Sequence, residues 1–173
     1  TTATIFCKTP MSNFQFKQFT IEQDQCAMKV GTDGVILGSW CPVKEARKVL
    51  DIGTGSGILA IAASKLGAAK VDAYDIDPMA VKVAAENIKK NGCPNIACGV
   101  SDLFSAVSGV YDFAAANITA EIIMHMAKNA AVYIKRGGML ALSGIIDSQC
   151  SEVKKSLDGA GFSLKDEIHA NGW

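Results

Sequence analysis

Two textures of apolar and polar positions alternate along most of the chain. Short apolar runs bounded by glycine or charge read as buried strands, and longer stretches with a 3.6-residue repeat read as helices. Lys48–Ile52 is the first such run, and residues 57–66, apolar nearly all round, follow as a helix. A second strand is expected at 71–75, then a helix over Pro78–Lys90 with Asp77 as its cap and Pro78 in its first turn. Val81, Ala84, Ala85 and Ile88 fall at the i, i+3, i+4, i+7 spacing of one buried face, and Asn91-Gly92 stops the helix. Ile96–Val100 and 111–116 read as the third and fourth strands. Thr119 can cap a helix running to about residue 134, with Lys135 and Arg136 suiting the negative end of its dipole and Gly137-Gly138 ending it. A fifth strand is expected at 139–143 and a helix at 151–160, with Val153, Leu157 and Ala160 on one side. A more polar sixth strand at 162–169 belongs at the sheet edge or runs antiparallel.

Strands alternating with helices imply a parallel sheet with right-handed crossovers. The fold class is therefore α/β, a doubly wound and mostly parallel sheet ordered 3-2-1-4-5, with a partial antiparallel edge. The opening of the chain has a different texture. Phe14, Phe16 and Phe19 mark an aromatic segment, and residues 32–40 suit a short helix leading into the first strand. The domain reading is a tail or tag at 1–13, an N-terminal segment at 14–44 and one α/β domain at 45–173.

Composition agrees with this and removes several classes. At 173 residues, 49% hydrophobic and 20% charged, the chain suits one globular domain, not a disordered or coiled-coil protein. Seventeen basic and seventeen acidic residues cancel, so no strongly basic nucleic-acid footprint is present. No two of the six cysteines have CxxC spacing and the two histidines stand apart, so no metal site is expected. Reduced thiols in the cytoplasm are the expectation, although Cys26 and Cys41 could pair. No apolar run approaches the ~20 residues of a membrane helix, so no membrane partner is expected. His125, between Met124 and Met126 in a helix, reads as a packed or surface residue.

The strongest chemical signal is Val49-Leu50-Asp51-Ile52-Gly53-Thr54-Gly55-Ser56-Gly57, after a strand and opening a helix. Glycines there allow close backbone approach to a ligand, and the helix start offers unpaired N–H donors. A dinucleotide fingerprint, G-x-G-x-x-G, needs its third glycine where Ile58 stands. Asp51 would repel a pyrophosphate and favour an ammonium group. No Gly-Lys-Ser/Thr follows, which excludes a Walker phosphate loop. Asp75, at the end of the second strand, is placed to take ribose hydroxyls. Asp77 competes for that role but is better explained as a helix cap. Asp102, after the third strand, could accept from an adenine amino group. Together these acids sit at the C-terminal ends of neighbouring strands, where open α/β sheets bind ligands.

DIGTGSG, YDID and SDL resemble the motifs of class I S-adenosylmethionine-dependent methyltransferases, with their Rossmann-like fold. VLDIGTGSGILAIAASKLGAAKV, DIDPMAV, AANITAE and LSGI, within residues 45–173, look like the lysine methyltransferase family that modifies protein eleven of the large ribosomal subunit. Residues 14–40 resemble the opening of the family of adenine methyltransferases acting on valine tRNA, which makes the chain look like a mosaic. The cofactor implied is S-adenosylmethionine. The resemblance assigns Gly53, Gly55 and Gly57 to its methionine part and Asp51 to the neighbourhood of its amino group. It assigns Asp75 to the ribose, Ile76 to packing on adenine and Asp102 to the exocyclic amine. Asn117 falls where the superfamily meets both cofactor and substrate, and is the catalytic candidate; Thr32 and Asp33 would close over the cofactor, so 14–44 reads as a covering segment.

The acceptor expected is a protein amine on a ribosomal protein, with a tRNA adenine as the alternative. Against tRNA, Asn117 is followed by Ile118-Thr119-Ala120, not the Asn-Pro-Pro-Tyr of adenine methyltransferases. A non-catalytic cofactor-binding domain is a further alternative. The family's seventh, antiparallel strand is expected to be missing, because the sequence ends at Trp173 just past the sixth.

Overall fold

The computed structural model describes residues 2–6, 14–15, 20–21 and 46–168. The helix expected at 32–40, the candidate residues Thr32 and Asp33, and the Cys26–Cys41 pair all lie outside the described residues. Strands run over Thr2–Phe6 (β1), Phe14–Gln15 (β2), Thr20–Ile21 (β3), Lys48–Ile52 (β4), Lys70–Asp75 (β5), Ile96–Val100 (β6), Tyr111–Asn117 (β7), Ile134–Ser143 (β8) and Ser163–Glu167 (β9). Helices run over Ile58–Lys65 (α1), Pro78–Lys90 (α2), Ala120–Tyr133 (α3) and Cys150–Gly159 (α4).

Seven strands form one sheet in the order β6-β5-β4-β7-β8-β1-β9, and every neighbouring pair is parallel. The expected 3-2-1-4-5 order is the β6-β5-β4-β7-β8 part of it. The sixth predicted strand, β9, does sit at the edge, but it runs parallel. Its neighbour is a surprise. Thr2–Phe6, expected as tail, lies between β8 and β9 with Thr2 opposite both Met139 and Ser163.

The central strands are buried on both faces, and this is why they read as unbroken apolar runs. Leu50, Ile52, Tyr111, Ala114 and Leu140 pack with α3 and α4 residues Ile123, Met126, Val153 and Leu157 on one side. Val49, Val71, Phe113 and Ala141 pack with α1 and α2 residues Ile61, Ala63, Ala84 and Ile88 on the other. Ile21 of β3 joins this second layer. Next to it, Thr20 exchanges two hydrogen bonds with the Asn91 side chain: its N–H donates to Oδ1 (3.3 Å) and its carbonyl accepts from Nδ2 (3.0 Å). The described part of the N-terminal segment thus docks at the C-terminal end of α2.

Two local expectations need correction. The stripe on α2 is Ala80, Ala84, Asn87 and Ile88, and Ala85 is exposed. The helix is rotated because Asn87 Nδ2 donates to the Ser56 carbonyl (2.8 Å), which draws a polar residue inward. Secondly, Lys135–Gly138 do not end α3. They belong to β8, which starts at Ile134, directly after Tyr133. Gly137, at φ 82°, sits beside a register shift between Tyr111 and Phe113 of β7, the signature of a bulge.

Opposite the strand C-termini, an ionic cluster ties the sheet's lower rim. Asp72 accepts from the Tyr111 hydroxyl (2.8 Å) and pairs with Lys48 (3.4 Å) and Lys70 (3.1 Å), while Lys48 Nζ lies 4.1 Å over the Tyr111 ring. Burial, then the hydrogen bond and charge of Asp72, push the Tyr111 hydroxyl far above its ordinary pKa, so it stays a donor.

Candidate active site

A cleft of about 630 Å³ opens at the C-terminal ends of β4, β5, β6 and β7. This is the size and place of a small-molecule site in an open α/β sheet. Its floor is the glycine loop. The N–H groups of Gly53 and Thr54 both donate to the Tyr74 carbonyl (2.8 and 2.9 Å), which pins the loop to the end of β5. Gly53 takes φ 69°, and a Cβ there would stand 2.5 Å from Ile118 Cγ2. Gly55 takes φ 54°, yet nothing lies within 4 Å of where its Cβ would be. One glycine is needed for packing and conformation, the other for conformation and open space.

Beneath the loop, Asp51 is 1% exposed. Its Oδ2 accepts from the Thr54 hydroxyl (2.5 Å) and the Ala60 N–H (3.1 Å), joining loop and α1 through one carboxylate. Burial raises its pKa to about 7; the two hydrogen bonds oppose this, and the Asp75 charge adds to it. Asp51 Oδ1 and Ser56 Oγ are buried with no hydrogen-bond partner among the described residues. Buried polar atoms without partners are costly, and in native proteins they commonly mark a place where a ligand or water completes the network.

Asp75 forms the cleft's middle. Its two oxygens accept from the Gly55 N–H (2.8 Å) and the Asp77 N–H (3.0 Å). A carboxylate has about four lone-pair sites, so two remain for a ligand. Asp77 accepts from the Met79 N–H (2.8 Å) as the cap of α2. Ile76, 64% exposed, presents a large apolar side chain to the cleft. Across from it, Leu103 takes φ 47°, the only positive φ outside glycine among the described residues. The Ser101 hydroxyl holds that turn by donating to the Leu103 carbonyl (3.0 Å) and accepting from the Ala106 N–H (3.0 Å). Strain of this kind is concentrated at binding sites.

The remaining wall comes from the end of β7 and the start of α3. The Ile118 N–H donates to the Ser143 carbonyl (3.2 Å), and a Cβ on Gly144 would stand 2.5 Å from the Ile118 carbonyl oxygen. The close packing of Gly144 thus seats Asn117 and Ile118.

Of the residues singled out in the sequence, Gly53, Gly55, Asp75, Ile76, Asp102 and Asn117 line this cleft. Asp51 and Gly57 do not. Asp51 lies under the loop, and Gly57, at φ 84°, caps α1 with its Cβ position 3.3 Å from Ala84 of α2. Sequence reasoning passed over Glu121 and Ile122 and read His125 as a packed or surface residue; His125 is exposed, and all three line the cleft from one face of α3. Glu121 and His125 are four residues apart on α3 and so share a face, but nothing local in the sequence marks that face as the one turned to the cleft. Among the described residues no group of His, Cys, Asp and Glu is arranged to hold a metal ion, and no helix is long and apolar enough to cross a membrane.

With this geometry in view, the relatives are informative. The family model for ribosomal protein L11 methyltransferase (PrmA) matches residues 34–173. It therefore begins inside the segment that resembles the tRNA enzymes. A ribosomal protein L11 methyltransferase of Bacillus cytotoxicus is 41% identical over 132 residues, covering 76% of this chain and 42% of that protein. The chain spans about two fifths of the length of such curated relatives (42%). A ribosomal protein L11 methylase from Lactobacillus delbrueckii subsp. bulgaricus has a similar solved structure, with a TM-score of 0.76 at 35% identity over 81% of this chain and 72% of that one. A methyltransferase from Pyrococcus furiosus shares the fold at a TM-score of 0.74 and 21% identity, over 85% and 80% of the two chains. The glycine loop, the acids at the strand ends and a family match over most of the chain agree, and the chain belongs to the ribosomal protein L11 methyltransferase family.

Proposed function

We propose that this domain binds S-adenosylmethionine in the cleft and transfers its methyl group to a protein amine, a lysine of ribosomal protein L11 in the cytoplasm. One observation carries the reading. Asp75, Asp77, Asp102 and Glu121 line the cleft, and no lysine or arginine does so among the described residues. Such a field attracts cations and repels phosphates. It suits a cofactor bearing an ammonium and a sulfonium, and an acceptor that arrives as an ammonium. A phosphate-rich tRNA acceptor is opposed by the same charges.

The residues present fit the cofactor. The partnerless Ser56 Oγ, in the cleft lining, and the open space beside Gly55 suit its methionine end, with Asp51 beneath the loop holding that loop in place. Asp75, with lone pairs to spare, would hold the ribose, Ile76 would pack on adenine, and Asp102 would accept from its exocyclic amine. Asn117 lies where cofactor and acceptor would meet, and Thr32 and Asp33 would close over the cofactor from the segment 14–44. When bound, the cofactor supplies a methyl group already activated for displacement. What the protein must add is chiefly orientation, worth up to about 7–11 kcal/mol in favourable intramolecular cases.

Calorimetric titration with S-adenosylhomocysteine tests the pocket. One-site binding that weakens at least tenfold in Asp75→Ala is expected, and no binding by the folded protein would overturn the reading. Transfer of a labelled methyl group is then followed with L11 and with tRNA as acceptors. Labelled L11 supports the amine assignment. Labelled tRNA alone would overturn it, and binding with no transfer would leave a cofactor-binding module.

A further inference from the structure

With the cofactor residues of the preceding reading set aside, one wall of the cleft has no assignment. Glu121, Ile122 and His125 form it, all from the first two turns of α3, immediately beyond Asn117. We infer that these three residues are the acceptor end of the site: Glu121 receives a long-chain ammonium, Ile122 packs on its methylene stem and His125 takes its proton. This assignment rests on the methyl-transfer reading above.

The geometry supports each role. Glu121 and His125 are four residues apart on a helix, so their side chains share one face. Both are exposed, and neither side chain makes a hydrogen bond or ion pair among the described residues. The other acids nearby are committed differently. Asp75 holds two backbone amides and Asp77 caps α2. Ile122, between the pair in sequence, is 41% exposed although large and apolar. An aliphatic stem laid across it removes that surface from water. A carboxylate, an apolar rest and an imidazole in one cleft wall match the three parts of a lysine side chain: charge, stem and a proton to lose.

The step balances without another reagent. An N–H bond of the bound ammonium breaks and its proton moves to an imidazole nitrogen of His125. The freed nitrogen lone pair forms the N–C bond to the methyl carbon as the C–S bond breaks, and that electron pair stays on sulfur. Imidazole serves such transfers near neutral pH. The titratable groups that share the cleft with His125 are Glu121 on its own helix, Asp75 and Asp77 from the end of β5 and the start of α2, and Asp102 after β6.

Three measurements on the whole chain test the assignment, with Glu121→Gln, His125→Asn and the remote Lys155→Ala as variants. Calorimetry with S-adenosylhomocysteine should give unchanged affinity in His125→Asn and Lys155→Ala, and a loss of no more than about twofold in Glu121→Gln, where one of the four cleft charges is removed. Methyl transfer to L11 should show KM for L11 raised at least tenfold in Glu121→Gln, and kcat lowered at least tenfold in His125→Asn with the lower limb of the pH profile lost. The third readout needs no turnover. The chain has two histidines, so the His125 imidazole signal is identified by its loss in His125→Asn. Adding n-butylamine should shift that signal in the wild type and less in Glu121→Gln. Wild-type transfer rates in both variants would overturn the inference and leave the methyl-transfer reading standing. Loss of S-adenosylhomocysteine binding in both would also overturn it, because the residues would then serve the fold or the cofactor. No binding by the wild type would sink the underlying reading instead.

Discussion

Burial holds the Asp51 carboxyl at about 7, although the Thr54 hydroxyl and the Ala60 N–H both favour its charged form. The consequence for stability has a definite sign. Below the ordinary carboxylate range both folded and unfolded chains are protonated at this site. Between about pH 4 and 7 the unfolded chain loses the proton and the folded chain keeps it, so stability falls as pH rises, by roughly 4 kcal/mol at most. Above the folded value the penalty is complete and constant. Asp51→Asn keeps an acceptor for the two donors and cannot ionise. Urea unfolding across pH 4–8 should show the variant gaining on the wild type as pH rises, with the difference levelling off above about 7. A constant difference would refute the buried-carboxyl account. Glycines in the same loop separate packing from conformation. Gly55→Ala meets open space and carries only left-handed strain, about 1–2 kcal/mol. Gly53→Ala carries that strain plus a 2.5 Å clash with Ile118. Gly53→Ala should therefore lower the thermal midpoint clearly more than Gly55→Ala; equal losses would contradict the packing described.

At the scale of elements, α2 is held to the glycine loop by the Asn87–Ser56 hydrogen bond (2.8 Å), buried at the Asn87 end. Asn87→Ala leaves the Ser56 carbonyl without that donor, a loss of about 1–3 kcal/mol. S-adenosylhomocysteine affinity should fall with it, because the loop loses its tie to α2. Denaturant midpoints and calorimetry on one preparation check both, and unchanged affinity would separate the helix from the site. This bond also shows where sequence reading ends. Strands β4 to β7 and the second half of β8, residues 139–143, were legible because each is a short apolar run with clear punctuation, and Asp77-Pro78 announced α2. The inward turn of Asn87 was not, because it depends on a partner 31 residues away in the sequence. Gly137-Gly138 misled for a related reason. Two glycines end a helix or make a bulge equally well, and the choice was made by pairing with β7. The cleft's acids were legible from their places at strand ends. Glu121 and His125 were not, since nothing local distinguishes a cleft-facing helix residue from a solvated one.

Across the whole molecule, the least legible feature is β1. Five residues near the start of the chain carry no period long enough to read, and their partners are more than 130 positions away, at Met139–Ser143 on one side and Ser163–Glu167 on the other. The arrangement makes the sheet's far edge depend on them. Among the described residues β9 pairs with β1 and with no other strand, and β8 has β1 as its outer neighbour. Removing residues 1–6 therefore removes two ladders at once. It leaves β9 without a strand partner and β8 with a row of unpaired backbone groups, which is a template for pairing with another chain. The cleft lies at β4 to β7, away from this edge. The truncated chain should accordingly lose amide-exchange protection in β9 and the outer side of β8 while keeping protection in β4 and β5. It should also elute as larger species on size exclusion as concentration rises. A Thr4→Pro variant removes one backbone donor from the middle of β1 without shortening the chain, and should produce the same pattern more weakly. If β9 keeps its protection in the truncated chain, the strand order at this edge is wrong. If β4 and β5 lose protection as well, the edge and the cleft fold as one unit, and β1 then supports the site from a distance.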